Sequence, residues 1–231
     1  MNDSYDDEIN SGNRLVLVLF AVMVVFLASM IYVSATSITD GLEAYYKLDE
    51  TTGLIATDFS GNGNNGTMEG YTFNHGVING GVTIEDEAMA FDGIDDYVLI
   101  NNELAEKTEG TVSLWLNQSN PVSANTWVFG ARYSLSLLVA SNNKINFGVG
   151  NQDNTSSYGN RIATSPENVY INGDWIHVTG TFKSGEKTKL YLNGDFVAES
   201  NLNFDGNLRT TGTFRIGGAT YSAPYFNGYL D

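Results

Sequence analysis

The chain of 231 residues contains no cysteine. That excludes disulfides, thiolate metal sites and cysteine nucleophiles. An exported protein without cysteine is more natural for a prokaryote than for an animal, where small secreted domains are often bridged. Histidine occurs twice, as His75 and His177, with no H-E-x-x-H or similar spacing that would hold zinc. Proline occurs three times, and nothing outside one apolar run near the N-terminus keeps a helical period for more than a turn or two. There is no G-x-S-x-G elbow and no G-x-x-x-x-G-K phosphate loop. No internal repeat suggests a solenoid. Cations are scarce as well: 11 Lys and Arg face 27 Asp and Glu, a net charge of −16. From Ser34 onward the balance is 23 acidic to 10 basic, or −13. Such a field repels nucleic acid and acidic membrane surfaces, and no nucleic-acid partner is expected. It suits calcium capture, a salty habitat, or solubility alone.

What is present first is Leu15–Val33, LVLVLFAVMVVFLASMIYV, 19 residues without a charge. As a helix it is about 28 Å long, close to a bilayer core of about 30 Å. The flank before it, residues 1–14, is acidic with a single Arg14, and the first cation after it is Lys47. This weak bias places the N-terminus inside and the remainder outside. The expectation is a single-pass membrane anchor, a polar linker over 34–40, and an extracellular domain over 41–231, most naturally on a prokaryotic cell surface. A cleaved signal peptide remains open, since Val33-Ser34-Ala35 fits a small-residue cleavage site, although the start is acidic and the run long. A pilin-like helix is the third reading, and Ser11-Gly12-Asn13-Arg14 is a poor prepilin site. All three export the domain.

From Gly41 on, 25 glycines in the chain and recurrent β-branched and aromatic residues at alternate positions read as strand and turn. In KTKLYLNGDFVAES, Asn193-Gly194 is the favoured pair for a two-residue type I′ hairpin. Leu192 then faces Asp195, Tyr191 faces Phe196 and Leu190 faces Val197. One face of each strand is aliphatic: Leu190, Leu192 and Val197; Val112, Leu114 and Leu116; Ile176, Val178 and Phe182. The other mixes aromatic, hydroxyl and amide groups: Tyr191 and Phe196; Ser113, Trp115 and Asn117; Trp175, His177, Thr179 and Thr181. The aliphatic faces are expected between two stacked sheets. The second faces suit sugar, because a ring stacks on an aromatic while its hydroxyls find polar partners. Ordinary packing beneath loops explains the same residues. Trp115, Trp175, His177, Tyr191 and Phe196 are the candidate ligand-binding set.

Eight motifs occur in a recognisable order: GLEAYYKLDE (41–50), ATDFSGNGNNGT (56–67), AFDGIDDYVLI (90–100), TVSLWLNQ (111–118), DWIHVTGTF (174–182), KLYLNGDFVAES (189–200), FRIGG (214–218) and YFNGYLD (225–231). Together they resemble the laminin-G-like, concanavalin A-like lectin/glucanase jelly roll over about four fifths of the chain. The resemblance implies an all-β fold, a two-sheet antiparallel jelly-roll sandwich, and a binding role outside cells. It also implies a calcium ion between the ATDFSGNGNNGT loop and an acidic pair whose first member here is Asp231. The loop itself holds the right chemistry: Asp58, Ser60, Asn62, Asn64 and Asn65 offer oxygens, and calcium takes about six to eight of them. Asp58, Asn62, Asn64 and Asp231 are therefore the candidate metal ligands, with the ion structural. A Gly/Asn turn without metal is the alternative.

Two further acidic clusters and three Asn-containing matches are less telling. Asp92, Asp95 and Asp96, three carboxylates in five residues, could bind a cation, but such a run is more often a solvated turn between two strands, and that is the reading taken. Glu85-Asp86-Glu87 invites comparison with glycosidase carboxylates, but glucanases of this fold space theirs as E-x-D-x-(x)-E on one strand, and the contiguous run lacks the third acid. Asn65-Gly66-Thr67, Asn117-Gln118-Ser119 and Asn154-Thr155-Ser156 match the glycosylation pattern, which an Asn-rich chain does by chance. Similar domains follow YFNGYLD with an E-V-R-I-Y-like stretch, so the chain is expected to be a fragment with an unpaired edge. The functional expectation is a surface-displayed, non-catalytic module for glycan binding or cell adhesion. Its partner would be a glycan or a cell-surface or matrix protein. The alternatives are a protein-binding or architectural module, including a pilin-like subunit, and a glycosidase-related enzyme.

Overall fold

The computed structural model describes residues 41–50, 52–70, 88–101, 106–121, 124–151, 161–209, 213–218 and 224–231. The anchor segment Leu15–Val33, His75, Glu85–Glu87 and Asn154 lie outside them. Among the described residues no helix is long and apolar enough to cross a membrane. The described strands all lie within the unit Glu43–Asp231.

Among the described residues the strands are β1 (Ile55–Ala56), β2 (Gly66–Glu69), β3 (Met89–Asp92), β4 (Tyr97–Asn101), β5 (Glu109–Gln118), β6 (Thr126–Gly130) and β7 (Leu135–Ala140). After a 3₁₀ turn at Ser141–Asn143 come β8 (Lys144–Val149), β9 (Ile162–Thr164), β10 (Trp175–Lys183), β11 (Glu186–Leu192), β12 (Asp195–Phe204), β13 (Thr213–Ile216) and β14 (Asn227–Leu230). They form two sheets, β1-β2-β4-β13-β6-β7-β8-β9 and β12-β11-β10-β5-β14-β3. Every pairing is antiparallel.

The aliphatic faces close on one another as the alternation requires. Leu116, Ile176, Val178, Phe182, Leu190, Leu192 and Leu230 from the six-stranded sheet are buried, as are Val98, Ile100, Leu137, Ile145, Phe147 and Phe214 from the eight-stranded one. Each such side chain contributes about 1.5–3 kcal/mol on burial. Val112, Leu114 and Val197 pack against this core while partly exposed. The sheets approach closely at Gly180, where a Cβ would come within 2.3 Å of the Phe147 ring. A larger residue there would drive the layers apart.

The β11–β12 hairpin turns at Asn193 (φ 50°) and Gly194 (φ 88°), the left-handed pair that the dipeptide predicts. Leu192 faces Asp195 and Tyr191 faces Phe196, but Leu190 faces Ala198, not Val197. Val197 is the extra residue of a bulge. β12 is the sheet's outermost strand, and bulges collect at edges, where an unpaired residue costs least and the added twist discourages further pairing.

The central strand β5 pairs with β10 over Glu109–Asn117. On its other side β14 pairs with Leu116–Gln118, and Asp231 extends the contact by two backbone bonds to Trp115. Among the described residues no strand lies on that side of Glu109–Leu114. The first motif, GLEAYYKLDE, makes no ladder beyond a single bridge from Tyr46 to Asp58.

Candidate functional site

The ladder of β5, β10 and β11 fixes which side chains meet on the outer face of the six-stranded sheet. His177 lies opposite Trp115; Thr179 lies between Ser113 and Tyr191; Thr181 lies between Thr111 and Lys189. Trp115 is 45% exposed, and its ring centroid is 5.0 Å from that of His177. The Ser113 hydroxyl sits 2.9 Å from His177 Nε2 and 3.1 Å from Thr179 Oγ1. Next to them Tyr191 and Phe196 meet edge to face at 5.8 Å, and Phe196 is 56% exposed. The hairpin turn holds His177 in place, since its backbone N–H donates to Asn193 Oδ1 and its carbonyl accepts from the Asn193 N–H. Trp175 stands at the end of β10 opposite Asn117, whose side-chain amide donates to the Gly173 carbonyl.

All five candidate ligand-binding residues thus share one face. Two more join it. Tyr229 lies opposite Asn117, and Asp231 bonds reciprocally with the backbone of Trp115, which sets it beside the tryptophan. The period of two in NGYL, with Leu230 in the core, is the signal that would have placed Tyr229 outward. Ser113 and His177 have the spacing of a nucleophile and base, but among the described residues no carboxylate holds the other ring nitrogen, so the pair lacks its orienting third member.

Further along the same face is a recess of about 330 Å³ lined by Thr111, Thr181, Lys183, Glu186, Lys187 and Lys189, among others. Its lysines are matched one by one: Lys183 to Glu109 at 3.1 Å, Lys189 to Glu186 at 3.5 Å, and Lys187 to Glu199. These exposed pairs add little stability.

The ATDFSGNGNNGT loop is organised differently. Asp58 is 8% exposed, and its carboxylate accepts four hydrogen bonds. Oδ1 takes the N–H groups of Tyr45 (2.9 Å) and Ser60 (2.8 Å); Oδ2 takes the Ser60 hydroxyl (2.8 Å) and the Asn64 N–H (2.9 Å). Burial pushes its pKa up, but the bonds from Tyr45, Ser60 and Asn64 outweigh this and hold it below the usual carboxylate range. Asn62 and Asn64 turn their NH₂ groups to the Glu43 carbonyl at 3.2 and 2.8 Å. A flip of either would set oxygen against oxygen. Asn65 Oδ1 accepts the Asp58 N–H, and the Tyr46 hydroxyl donates to the Asn64 carbonyl. A carboxylate has about four lone-pair positions, and all four of Asp58's meet donors. As folded, Asp58 has no lone pair left for a cation, and Asp231 lies opposite Trp115.

Among the described residues, the acidic side chains that gather as a trio are Asp92, Asp95 and Asp96, in the turn between β3 and β4. Asp92 and Asp95 are exposed as a solvated turn requires, but Asp96 is buried. Its Oδ2 accepts the Asp92 N–H at 2.9 Å, which closes the turn from inside. Burial, with the charges of Asp92 and Asp95 adding, pushes its pKa up to about 6 against the opposing Asp92 hydrogen bond.

The profile of the concanavalin A-like lectin/glucanases superfamily, Laminin_G_3, matches residues 92–231, more than half of the chain. The chain belongs to this family. Among curated proteins none matches it significantly. Among solved structures it is similar to domain 4 of AbnA, a GH43 extracellular arabinanase from Geobacillus stearothermophilus, solved with arabinotriose. The TM-score is 0.54 at 20% identity, over 81% of this chain and 88% of that one. It is also similar to the receptor binding domain of botulinum neurotoxin C/D mosaic serotype, with a TM-score of 0.59 at 17% identity over 84% and 48%. The botulinum neurotoxin serotype D ligand binding domain, solved with N-acetylneuraminic acid, gives 0.51 at 16% over 79% and 48%. This laminin-G-like chain spans about half the length of those toxin chains. At such identities the likeness establishes the fold: two antiparallel sheets in a jelly-roll sandwich.

Proposed function

We propose that this laminin-G-like chain is a non-catalytic carbohydrate-binding module, displayed outside the cell on the Leu15–Val33 segment, and that the outer face of the six-stranded sheet is its site. The observation that carries this is the exposed Trp115 and Phe196 flanking a hydroxyl and imidazole cluster of Ser113, Thr179 and His177. An aromatic left in water beside fixed hydroxyls offers a sugar both a stacking surface and hydrogen-bond partners. The sugars bound to two of the similar structures, arabinotriose and N-acetylneuraminic acid, support the class of ligand but not its identity.

The test is a glycan array with the full chain in detergent, followed by tryptophan fluorescence titration of each hit. Trp115→Ala should weaken binding by about fivefold or more, the lower end of the about 1–3 kcal/mol that a ring stacked on an aromatic side chain contributes in single-stranded nucleic-acid complexes, while the melting temperature stays within a few degrees of the parent. Equal binding by parent and Trp115→Ala would refute the assignment of the face.

A further inference from the structure

The geometry points to a neutral, extended oligosaccharide as the ligand, lying along the strands from the Trp115–Phe196 aromatic cluster to the recess at Thr181 and Lys189. This rests on the carbohydrate-binding reading above and deepens it by naming the ligand class.

The two stations share one face because they alternate on the same strands. Trp115, Ser113, Thr111 and Glu109 project from β5 on one side; His177, Thr179, Thr181 and Lys183 project beside them from β10. From the Trp115–His177 row to the Thr111–Thr181 row is four residues, about 13 Å at 3.2–3.4 Å per residue. A single sugar ring does not bridge that, whereas a chain of several does. Between the stations the floor of these two strands is Ser113, Thr179, Thr111 and Thr181, all short hydroxyl side chains. They leave a shallow track with donors and acceptors along it, flanked by Tyr191 and Lys189 from β11.

Charge selects among chains. The recess holds three lysines, which by itself would suggest an anionic sugar. Each, however, is bonded to its own glutamate, Glu109, Glu199 or Glu186. An anionic chain would meet the glutamate beside each lysine and approach a protein of net charge −16, both of which repel it. A neutral chain displaces nothing, and the paired ammonium and carboxylate groups remain able to bond its hydroxyls.

The experiment is isothermal titration of the full chain with size-graded arabino-, xylo- and cello-oligosaccharides, disaccharide to hexasaccharide, beside oligogalacturonates of equal length, at low and high salt. The expected result is binding of a neutral series, with affinity rising about tenfold or more from two units to six as both stations engage. Salt should change it less than about twofold. Thr181→Val combined with Lys189→Ala should reduce the hexamer's affinity to near that of the disaccharide. Tighter binding of the galacturonate series, weakening with salt, would overturn the neutral ligand and leave the face intact. Affinity independent of length would overturn the bridging of two stations. If no sugar binds parent or Trp115→Ala protein, the carbohydrate reading itself falls and this inference with it.

Discussion

Asp58 and Asp96 are both buried carboxylates in short turns, 8% and 7% exposed, and the fold treats them in opposite ways. Asp58 is ringed by donors: three backbone amides and a hydroxyl occupy its four lone-pair positions. Asp96 has one amide, from Asp92, and two acidic neighbours. Burial raises both pKa values, yet the donors take Asp58 below the usual range while Asp96 stays up near 6. Depth alone therefore does not decide the cost of a buried charge; the count and sign of what surrounds it do. Near neutral pH the charge on Asp58 holds the 43–46 segment to its loop. The charge on Asp96 opposes the fold.

The comparison breaks most visibly at Asp58. Asp58→Ala leaves the amides of Tyr45, Ser60 and Asn64 facing a void, and should cost about 3–5 kcal/mol in urea unfolding. Asp58→Asn, which keeps the shape but not the charge, should cost about 2 kcal/mol. Wild-type stability in both variants would mean that the cage does not hold the loop.

Next comes the glycine beneath the Asp96 turn. Gly70 has φ +83°, and a Cβ there would lie 2.2 Å from the Asp95 carbonyl oxygen. Gly70→Ala should cost about 3 kcal/mol, from backbone strain and a clash with rigid main chain. Gly61, in the Asp58 loop, has φ +92° but nothing within 4 Å of a Cβ. Gly61→Ala should cost about 1–2 kcal/mol, the strain alone. Equal losses would place the rigidity of the two turns elsewhere.

The pH dependence separates the two acids by sign. Asp96 is raised in the folded state, so its stabilising contribution is complete below the unfolded pKa of about 3.9 and is lost as pH rises through about 6. Asp58 is lowered, so its contribution is present above about 3.9 and disappears only as pH falls through its depressed folded value. Acidification from about pH 7 to about pH 5 should stabilise the protein through Asp96 by on the order of 1–2 kcal/mol. Asp96→Asn should be the more stable protein at neutral pH and show a smaller rise on acidification. An identical pH profile in parent and variant would remove Asp96 as the source.

The smallest expected effect is that of calcium. Because donors already fill Asp58, melting temperatures in calcium and in chelator should coincide. A saturable upward shift in calcium, absent from Asp58→Ala, would show the loop rearranging around a cation and would restore Asn62 and Asn64 as ligands.

What the sequence determined by itself is what repeats locally. The alternation in β5, β10 and β11 assigned Leu116, Ile176, Val178, Leu190 and Leu192 to the core and Trp115, His177 and Tyr191 to the other face. A strand's side chains must point to opposite sides whatever its partner. Asn193-Gly194 declared its turn for the same reason, since the two residues carry their φ preference with them. Tertiary structure alone decided what depends on distant neighbours. The bulge at Val197 follows from β12 being an outer strand, which its own residues do not state. Ser113 and His177, 64 residues apart, meet only because β10 chose β5. Asp58 offered the sequence a metal ligand's carboxylate; whether its lone pairs remained free was settled by where Tyr45 and Asn64 aimed their amides. Asp231 pairs with Trp115, 116 residues earlier in the chain, only because β14 lies beside β5. Periodicity is a property of one strand, whereas pairing and lone-pair occupancy belong to the whole fold.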